Sequence, residues 1–497
     1  MTRNSTPMLS KSRFTAGLQC LKRLYLQCYY RELAEPPDVG QQAAMDTGIA
    51  VGGLARHRFP GGRLIEEEYY RHDDATTATA AAVADQLVPA VFEAAFTFDE
   101  VRTRVDVLRR SAKAAFDLVE VKSSTSVKEE YIPDVAIQLY VLEGSGIAVG
   151  KAHLLHINKA YEYGGGPYDL TQLFLLEDVD DKVRSFIHSD LAAALARMKG
   201  VLRAEDPPAV DIGRQCTIPY RCEFYRHCRE GPPEHHVEEL PNARRKLLEA
   251  LSCAGITDVR DIPEGFPGLS PLQRRVRECV ISGEPYFGPG LSAALDAIPH
   301  PLYFLDFETF NPALPFYPGT RPYQVIPFQW SLHIRDSRGD LRHCAFLHDG
   351  ADDPRETFLT SLLDAVGTKG TIVTYSGYEG TIVRQLADAF PRYSERLLAL
   401  NERMLDLLAL VKTHCYHPGF HGTYSIKAVL PALVPDLSYD DLEIQEGAHA
   451  SVAFAQMIAP GTNEQERERL RRALLDYCER DTKAMVQVFD ALQLRNS

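Results

Sequence analysis

Two sets of acidic side chains in this chain are spaced for cation chemistry. The first is Asp106, in TRVDVL, with Glu120-Val121-Lys122 following at a hairpin's distance. Alternate side chains of a strand share a face, so Glu120 and Lys122 project together while Val121 enters the core. An adjacent strand of the same hairpin brings Asp106 beside Glu120. Paired carboxylates are the oxygen ligands that Mg²⁺ or Mn²⁺ prefers. A neighbouring ammonium can orient a water or stabilise charge on a phosphate. Gln138 and Tyr140 follow on a helix expected to pack over the site and touch a nucleic-acid backbone. Taken alone, the three residues read equally as an ordinary Glu–Lys pair on an exposed strand.

The second set is Asp306 and Glu308 in FLDFET, again two apart on a strand and followed by Thr309. Far downstream, Tyr477 and Asp481 in YCERD are four apart, which stacks them on one helical face. Between them, VTYSGYEGTIVRQLA puts Glu379 where a strand ends and a helix begins. Carboxylates from separate segments, with a phenol to position water, meet the needs of a site holding two cations about 4 Å apart. Each fragment alone reads equally as an acid at a strand end or the cap of a surface turn. Asp406, in RMLDLL, is an alternative or accessory acid, and Lys427, in HGTYSIKAVLPAL, is either a phosphate contact or a solvated lysine.

Cysteines form a third group: Cys216, Cys222 and Cys228 in CTIPYRCEFYRHC. Their intervals are longer than those of a zinc knuckle. Four thiolates commonly hold an iron–sulfur cluster, so a fourth must come from elsewhere. Cys20, in GLQCLKR, is the candidate, with Cys28 in reserve. A clip between such distant residues removes loop-closure entropy from the unfolded chain, which favours a structural over a redox role. Zinc and buried free thiols are the alternatives.

The elements that must position these groups follow from periodicity. A Ser-capped amphipathic helix is expected over 9–31, an Ala-rich helix over 74–90, a meander of strands over 91–123, a helix over 131–146, a strand over 152–158 and a long helix over 178–201. Residues 231–298, punctuated by Pro and Gly, read as a helical connecting module. LYFLDFE at 302–308 opens a new domain, with strands near 327–334, 342–348 and 371–376, a helix at 354–366, and mostly helices after that. At 497 residues, with 45% hydrophobic and 25% charged residues, the chain has material for two or three globular cores. No apolar run reaches membrane-spanning length and no signal-peptide core opens the chain, so a cytoplasmic protein with reduced cysteines is expected. A net charge of −14 argues against broad nonspecific adhesion to DNA while leaving room for local basic patches.

KSRFTAGLQCLKRLYL, VDVL, EVKSS, DVAIQLY and the C-x₅-C-x₅-C tail together resemble the RecB-family nucleases with an iron–sulfur clip, over about residues 9–230. The resemblance implies a PD-(D/E)xK restriction-endonuclease-like fold. It assigns Asp106, Glu120 and Lys122 to the active site, Gln138 as the supporting glutamine, and Cys20, Cys216, Cys222 and Cys228 to a [4Fe–4S] cluster. One position departs: Gly52 stands where many relatives carry a metal-binding His, and His57 lies further along. From 299 to 493 the pattern resembles the DnaQ-like (RNase H-like) 3′→5′ exonucleases of the tyrosine subtype. That implies Asp306, Glu308, Glu379 and Asp481 as metal ligands and Tyr477 as the water-positioning residue. Here Glu379 replaces the usual Asp. The order of the parts resembles an uncharacterised bacterial family that fuses these two domains through a short helical module.

The expected protein is therefore an α/β, Mg²⁺- or Mn²⁺-dependent nuclease that hydrolyses phosphodiesters of DNA ends or single strands at two sites. Repair, recombination or defence is the expected setting, and a helicase or similar protein a conceivable partner. The alternatives are a nucleic-acid-binding scaffold with one or both sites degenerate, and an exonuclease acting on RNA.

Overall fold

Between residues 90 and 122 apolar side chains alternate with polar ones, the period-two signal of strands with a buried face. The computed structural model describes residues 6–112, 115–229, 231 and 233–494. It is a mixed α/β structure with several sheets and many helices. By internal contacts it divides into two units, one of Met1–Glu230 with Pro312–Gln324, the other of Gly231–Asn311 with Val325–Ser497. Among the described residues no helix is long and apolar enough to cross a membrane.

The first unit holds strands β1 (Leu9–Ser10), β2 (Arg63–Leu64), β3 (Ala90–Phe98), β4 (Val101–Ala112), β5 (Ala115–Lys122), β6 (Val149–Ile157) and β7 (Phe174–Asp178) in one sheet. The order is β2-β3-β4-β5-β6-β7, with β1 paired to the start of β4. β3, β4 and β5 are antiparallel neighbours, and β6 joins β5 in parallel. A parallel neighbour needs a crossover, supplied by the helix Ile132–Gly144. That helix is apolar on nearly every side because sheet and helices cover it, and Val135, Ile137 and Leu139 are fully buried.

The single helix expected over 9–31 is two, Lys11–Gln19 and Leu21–Tyr29. Cys20 between them is extended, at φ −159° and ψ 123°. Packing decides this: a Cβ on Gly17 would sit 2.8 Å from the Met198 sulfur, so the first helix lies close on the helix Ala192–Arg203, while the second buries Leu24, Tyr25 and Leu26. The Ala-rich helix is His72–Ala84, shorter than expected because Ala90 already belongs to β3. The long helix near 178–201 is Asp180–Phe186 and Ala192–Arg203, joined through a π-helical turn at Ile187–Leu191.

In the second unit β8 (Tyr286–Phe287) pairs with the later β14 (Cys415–Tyr416). The main sheet has β9 (Leu302–Phe310), β10 (Ile326–Arg335), β11 (Leu341–Leu347), β12 (Thr371–Thr374) and β13 (Met404–Asp406) in the order β11-β10-β9-β12-β13. β11, β10 and β9 are antiparallel, while β12 and β13 run parallel to β9. Both faces of β9 are covered. Phe307 meets Phe358 of the helix Arg355–Ala365, and on the opposite face Phe304 meets Phe489 of the helix Glu464–Leu494. The stretch 231–298, expected as a connecting module, lies within this unit and contributes β8 and the helices Arg245–Cys253, Pro271–Ser282 and Leu291–Asp296.

Gly422 marks a close approach inside this unit. Its φ is +74°, and a Cβ there would sit 1.6 Å from the Glu239 carbonyl oxygen. Gly422→Ala is therefore expected to cost more than about 1 kcal/mol, read as a lower urea midpoint for this unit; an unchanged midpoint would show that the two loops do not meet this way in solution.

Two carboxylate sites and a thiol cluster

The first site grows from strand register. β4 and β5 pair Val107 with Val119 and Leu108 with Leu118, so one further step sets Asp106 level with Glu120. Asp106 Oδ2 accepts the Val121 N–H at 2.8 Å. Glu120 is 1% exposed and so must be compensated from within the protein. It accepts from Lys122 Nζ at 2.7 Å, Gln138 Nε2 at 2.8 Å and Lys11 Nζ at 2.9 Å. Lys122 also donates to Asp134 at 2.5 Å, and Lys11 lies 3.9 Å from Asp106.

Asp106, Glu120, Lys122 and Gln138 are thus brought together as the spacing requires, with two additions. Asp134 stands four residues before Gln138 on the same helix, a spacing visible in DVAIQ. Lys11 opens the first helix, and only tertiary packing brings it here. Tyr140 belongs elsewhere: two positions from Gln138 on a helix is the far side, and its hydroxyl donates to Asp99 at 2.8 Å. His57 is exposed at the C-cap of the helix Val39–Arg56, and a Cβ on Gly52 would meet open space.

Burial, with the charge of Glu120, pushes Asp106 up to about 7. Burial alone would raise Glu120 too, but Lys11 and Lys122 hold it well below the usual carboxylate range. Asp134 Oδ1 and Gln138 Oε1 are buried without a hydrogen-bond partner. These open acceptors, with the facing oxygens of Asp106 and Glu120, suit a hydrated divalent cation, which must displace Lys11 from Glu120 to bind.

The second site is more acidic. β9 carries Asp306 and Glu308, the first turn of the helix Tyr378–Ala389 carries Glu379, and the helix Glu464–Leu494 carries Tyr477, Cys478 and Asp481. Ligand atoms of Asp306, Glu308 and Cys478 lie within 4.8 Å of one another. Burial raises all four carboxyls, and repulsion by neighbouring acids adds to it at Asp306, Glu308 and Glu379, while the Tyr439 and Tyr477 hydroxyls and Lys427 oppose it at Asp481. Asp306 and Glu308 rise well above the carboxylate range through Asp481 and Glu379, and Glu379 reaches about 7 with Asp406 and Asp481 contributing. Glu379 Oε2 is buried without a partner. Asp406 caps the helix Leu407–His414 through the Ala409 N–H at 3.2 Å, and its charge reaches Glu379.

Tyr477 is buried, with its hydroxyl 3.3 Å from Lys427 Nζ. Lys427 is no freely solvated lysine. It also donates to the Gln445 carbonyl, and its ammonium lies over the Tyr477 and Tyr439 rings. Two neighbours escaped sequence reading. Tyr439 donates to Asp481 Oδ1 at 2.5 Å, and Cys478 Sγ donates to Asp306 Oδ2 at 3.6 Å. Cys478 was legible as the residue after Tyr477; nothing around Tyr439 signals its place. The unpartnered Glu379 oxygen and the four desolvated carboxyls are a donor set that divalent cations could satisfy.

Cys20, Cys216, Cys222 and Cys228 line one small cavity, with Lys22 and Arg23 beside them. None of the four forms a disulfide. Cys28 instead packs against the main hydrophobic core. Gln19 Nε2 ties the helix before Cys20 to this segment, donating to the Gln215 and Tyr220 carbonyls at 2.6 Å each. Burial pushes the Cys222 thiol up to about 11 and raises Cys228. Four sulfur donors around one cavity, flanked by cations, fit a metal–thiolate cluster, whose ions would offset that cost of ionisation.

Residues 303–425 match the model of a family described as a domain of unknown function, DUF2779. The matched stretch contains Asp306, Glu308, Glu379 and Asp406, while Asp481 and all of the first site lie outside it. No curated protein matches the chain.

The raised carboxyls set a pH dependence. Groups whose folded pKa exceeds the unfolded value add stability that is complete below the unfolded pKa and lost as pH rises through the folded one. With Glu379 at about 7 and Asp306, Glu308 and Asp481 also raised, metal-free protein should lose stability between about pH 5 and about pH 8. Urea midpoints in chelator should fall across that range and recover with Mg²⁺ or Mn²⁺. A flat profile in chelator would contradict the burial of these groups.

Proposed function

We propose that the chain is a divalent-cation-dependent nuclease with two hydrolytic sites, acting in the cytoplasm on the ends or single strands of DNA. The observation that carries this reading is that Asp306, Glu308, Glu379 and Asp481, from three separate elements, are desolvated and close enough for the charge of Asp481 to act on the other three, beside Tyr477. The antiparallel β11-β10-β9 followed by parallel β12 and β13 supports reading the second unit as RNase H-like and DnaQ-type. In the first unit, the antiparallel β3-β4-β5 with parallel β6 supports a PD-(D/E)xK reading.

In the second unit the four carboxylates would hold Mg²⁺ or Mn²⁺. Such ions supply Lewis acidity toward a phosphate oxygen and ease the ionisation of water. Tyr477 and Tyr439, buried beside acids that push both phenols up, stay protonated and donate hydrogen bonds, Tyr477 toward the attacking water and Tyr439 to Asp481. Lys427 adds positive charge where a phosphate must sit. In the first unit Asp106 and Glu120 would hold the cation. Gln138 fixes the Glu120 carboxylate, and Lys122, anchored by Glu120 and Asp134, presents its ammonium to the phosphate. Cys20, Cys216, Cys222 and Cys228 would hold a [4Fe–4S] cluster that clips the N-terminal helices to the end of this unit.

One observation favours a second reading for the first site. Lys11 already neutralises Glu120 and leans on Asp106, so this site would bind nucleic acid without cutting it. In that case only the second unit is catalytic.

With Mg²⁺ or Mn²⁺, the purified protein should degrade 5′- or 3′-labelled single strands. Asp306→Ala or Asp481→Asn should lower 3′ trimming by about 10²- to 10³-fold or more, and Lys122→Ala should remove a separable activity. Loss of nothing in Lys122→Ala supports the binding-only reading of the first site. Absence of cleavage of matched DNA and RNA under either metal would end the nuclease proposal.

The cluster is tested by aerobic purification with an iron assay and the thiolate-to-iron absorbance. Wild type should be brown and Cys20→Ser should lose iron. Zinc in place of iron would overturn this part.

A further inference from the structure

We propose that His235, Glu239 and His421 form a separate site for a borderline transition-metal dication, zinc foremost, within the second unit. It is independent of both carboxylate sites and of the thiol cluster. One ligand atom from each residue lies within 4.8 Å of the other two. His235 Nδ1 is 3.5 Å from Glu239 Oε2, and His421 Nδ1 is 3.3 Å from the same oxygen. Tetrahedral zinc with nitrogen and oxygen ligands at about 2.0–2.2 Å has donor–donor edges of about 3.3–3.5 Å, so both spacings already match a common ion. The two imidazoles are stacked, with centroids 5.1 Å apart and planes 19° from parallel, and so present their Nδ1 edges to one carboxylate.

A second observation separates this from an ordinary His–Glu contact. His235 is 7% exposed, and its Nδ1 is buried without a hydrogen-bond partner. Glu239 Oε2 does bond to His421, so an ion pair between those two leaves the His235 nitrogen unsatisfied, which is costly out of water. A single cation between the three would satisfy both nitrogens and the carboxylate together. Two imidazoles and one carboxylate favour zinc-like ions over Mg²⁺, which prefers oxygen donors. Three protein ligands leave a position for water at the exposed His421 side.

The backbone is arranged for this convergence. Glu239 ends the 3₁₀ turn Val237–Glu239, and His421 follows the 3₁₀ turn Pro418–Phe420. His421 has φ +46°, the left-handed region that a histidine adopts at a cost. Gly422, against the Glu239 carbonyl, lets the two segments meet. The ion would pin the 231–240 stretch to the loop that leads into the helix Ile426–Leu433, which carries Lys427. Its role is to position that loop.

The test uses the full-length protein, stripped with chelator and titrated with Co²⁺ as a spectroscopic probe and Zn²⁺ for stoichiometry. His421→Asn removes the imidazole while keeping a residue that tolerates left-handed backbone. Wild type should bind one more equivalent of Co²⁺ than His421→Asn, with a ligand-field band lacking thiolate-to-metal charge transfer. The variant should bind that equivalent at least ~100-fold more weakly, and Glu239→Gln should behave alike. In wild type alone, Zn²⁺ but not Mg²⁺ should protect His421, whose side chain is 48% exposed, from carbethoxylation read by mass spectrometry. Equal Co²⁺ stoichiometry and spectra in wild type and His421→Asn, or unprotected His421 at saturating Zn²⁺, would overturn the proposal.

Discussion

Removing carboxylates from water governs this molecule. An ionised carboxyl in a protein interior must be met by an ammonium, a hydrogen-bond donor, a proton or a metal ion, and the two units answer differently. In the first, Lys11 and Lys122 converge on Glu120, so Glu120 keeps its charge while burial raises Asp106 and Asp134. In the second, burial raises Asp306, Glu308, Glu379 and Asp481, the charge of Asp481 raises the other three further, and Lys427 is too small a counterweight to relieve them. The second cluster has the stronger demand for compensating positive charge.

Each sheet serves to present these groups. In β9 Tyr303, Leu305 and Phe307 enter one hydrophobic cluster, leaving Asp306 and Glu308 with Phe304 on the face toward the helix Glu464–Leu494. In β5 Val119 and Val121 pack together on one side while Glu120 turns to the Gln138 helix. A one-residue slip in either register would trade an acid for a core residue, so packing of the apolar face holds the acids in position.

The segments between the sheets add the remaining parts. Gln19 and Arg23 bind the thiol-bearing loop, Arg23 through Glu223 at 2.9 Å, which sets Cys20 beside cysteines almost the whole unit away in sequence. In the second unit Tyr439 reaches Asp481 from an irregular stretch, and Lys427 reaches Tyr477 from the helix Ile426–Leu433.

What sequence alone determined is whatever follows from local spacing. Glu120 with Lys122, Asp306 with Glu308, and Tyr477 with Asp481 are two or four residues apart, and strand and helix geometry puts each pair on one face. Strand alternation likewise marked β3, β4 and β5, and a continuous apolar run marked β9; Cys20, unlike Cys28, lines the cavity with Cys216, Cys222 and Cys228. Tertiary structure alone decided the rest. The break at Cys20, the approach of Lys11 to Glu120, the turning away of Tyr140, the place of Tyr439 and the meeting of His235 with His421 depend on how distant segments pack. Periodicity reports which face a side chain takes on its own element, and the partner across that face is chosen by burial summed over the whole unit.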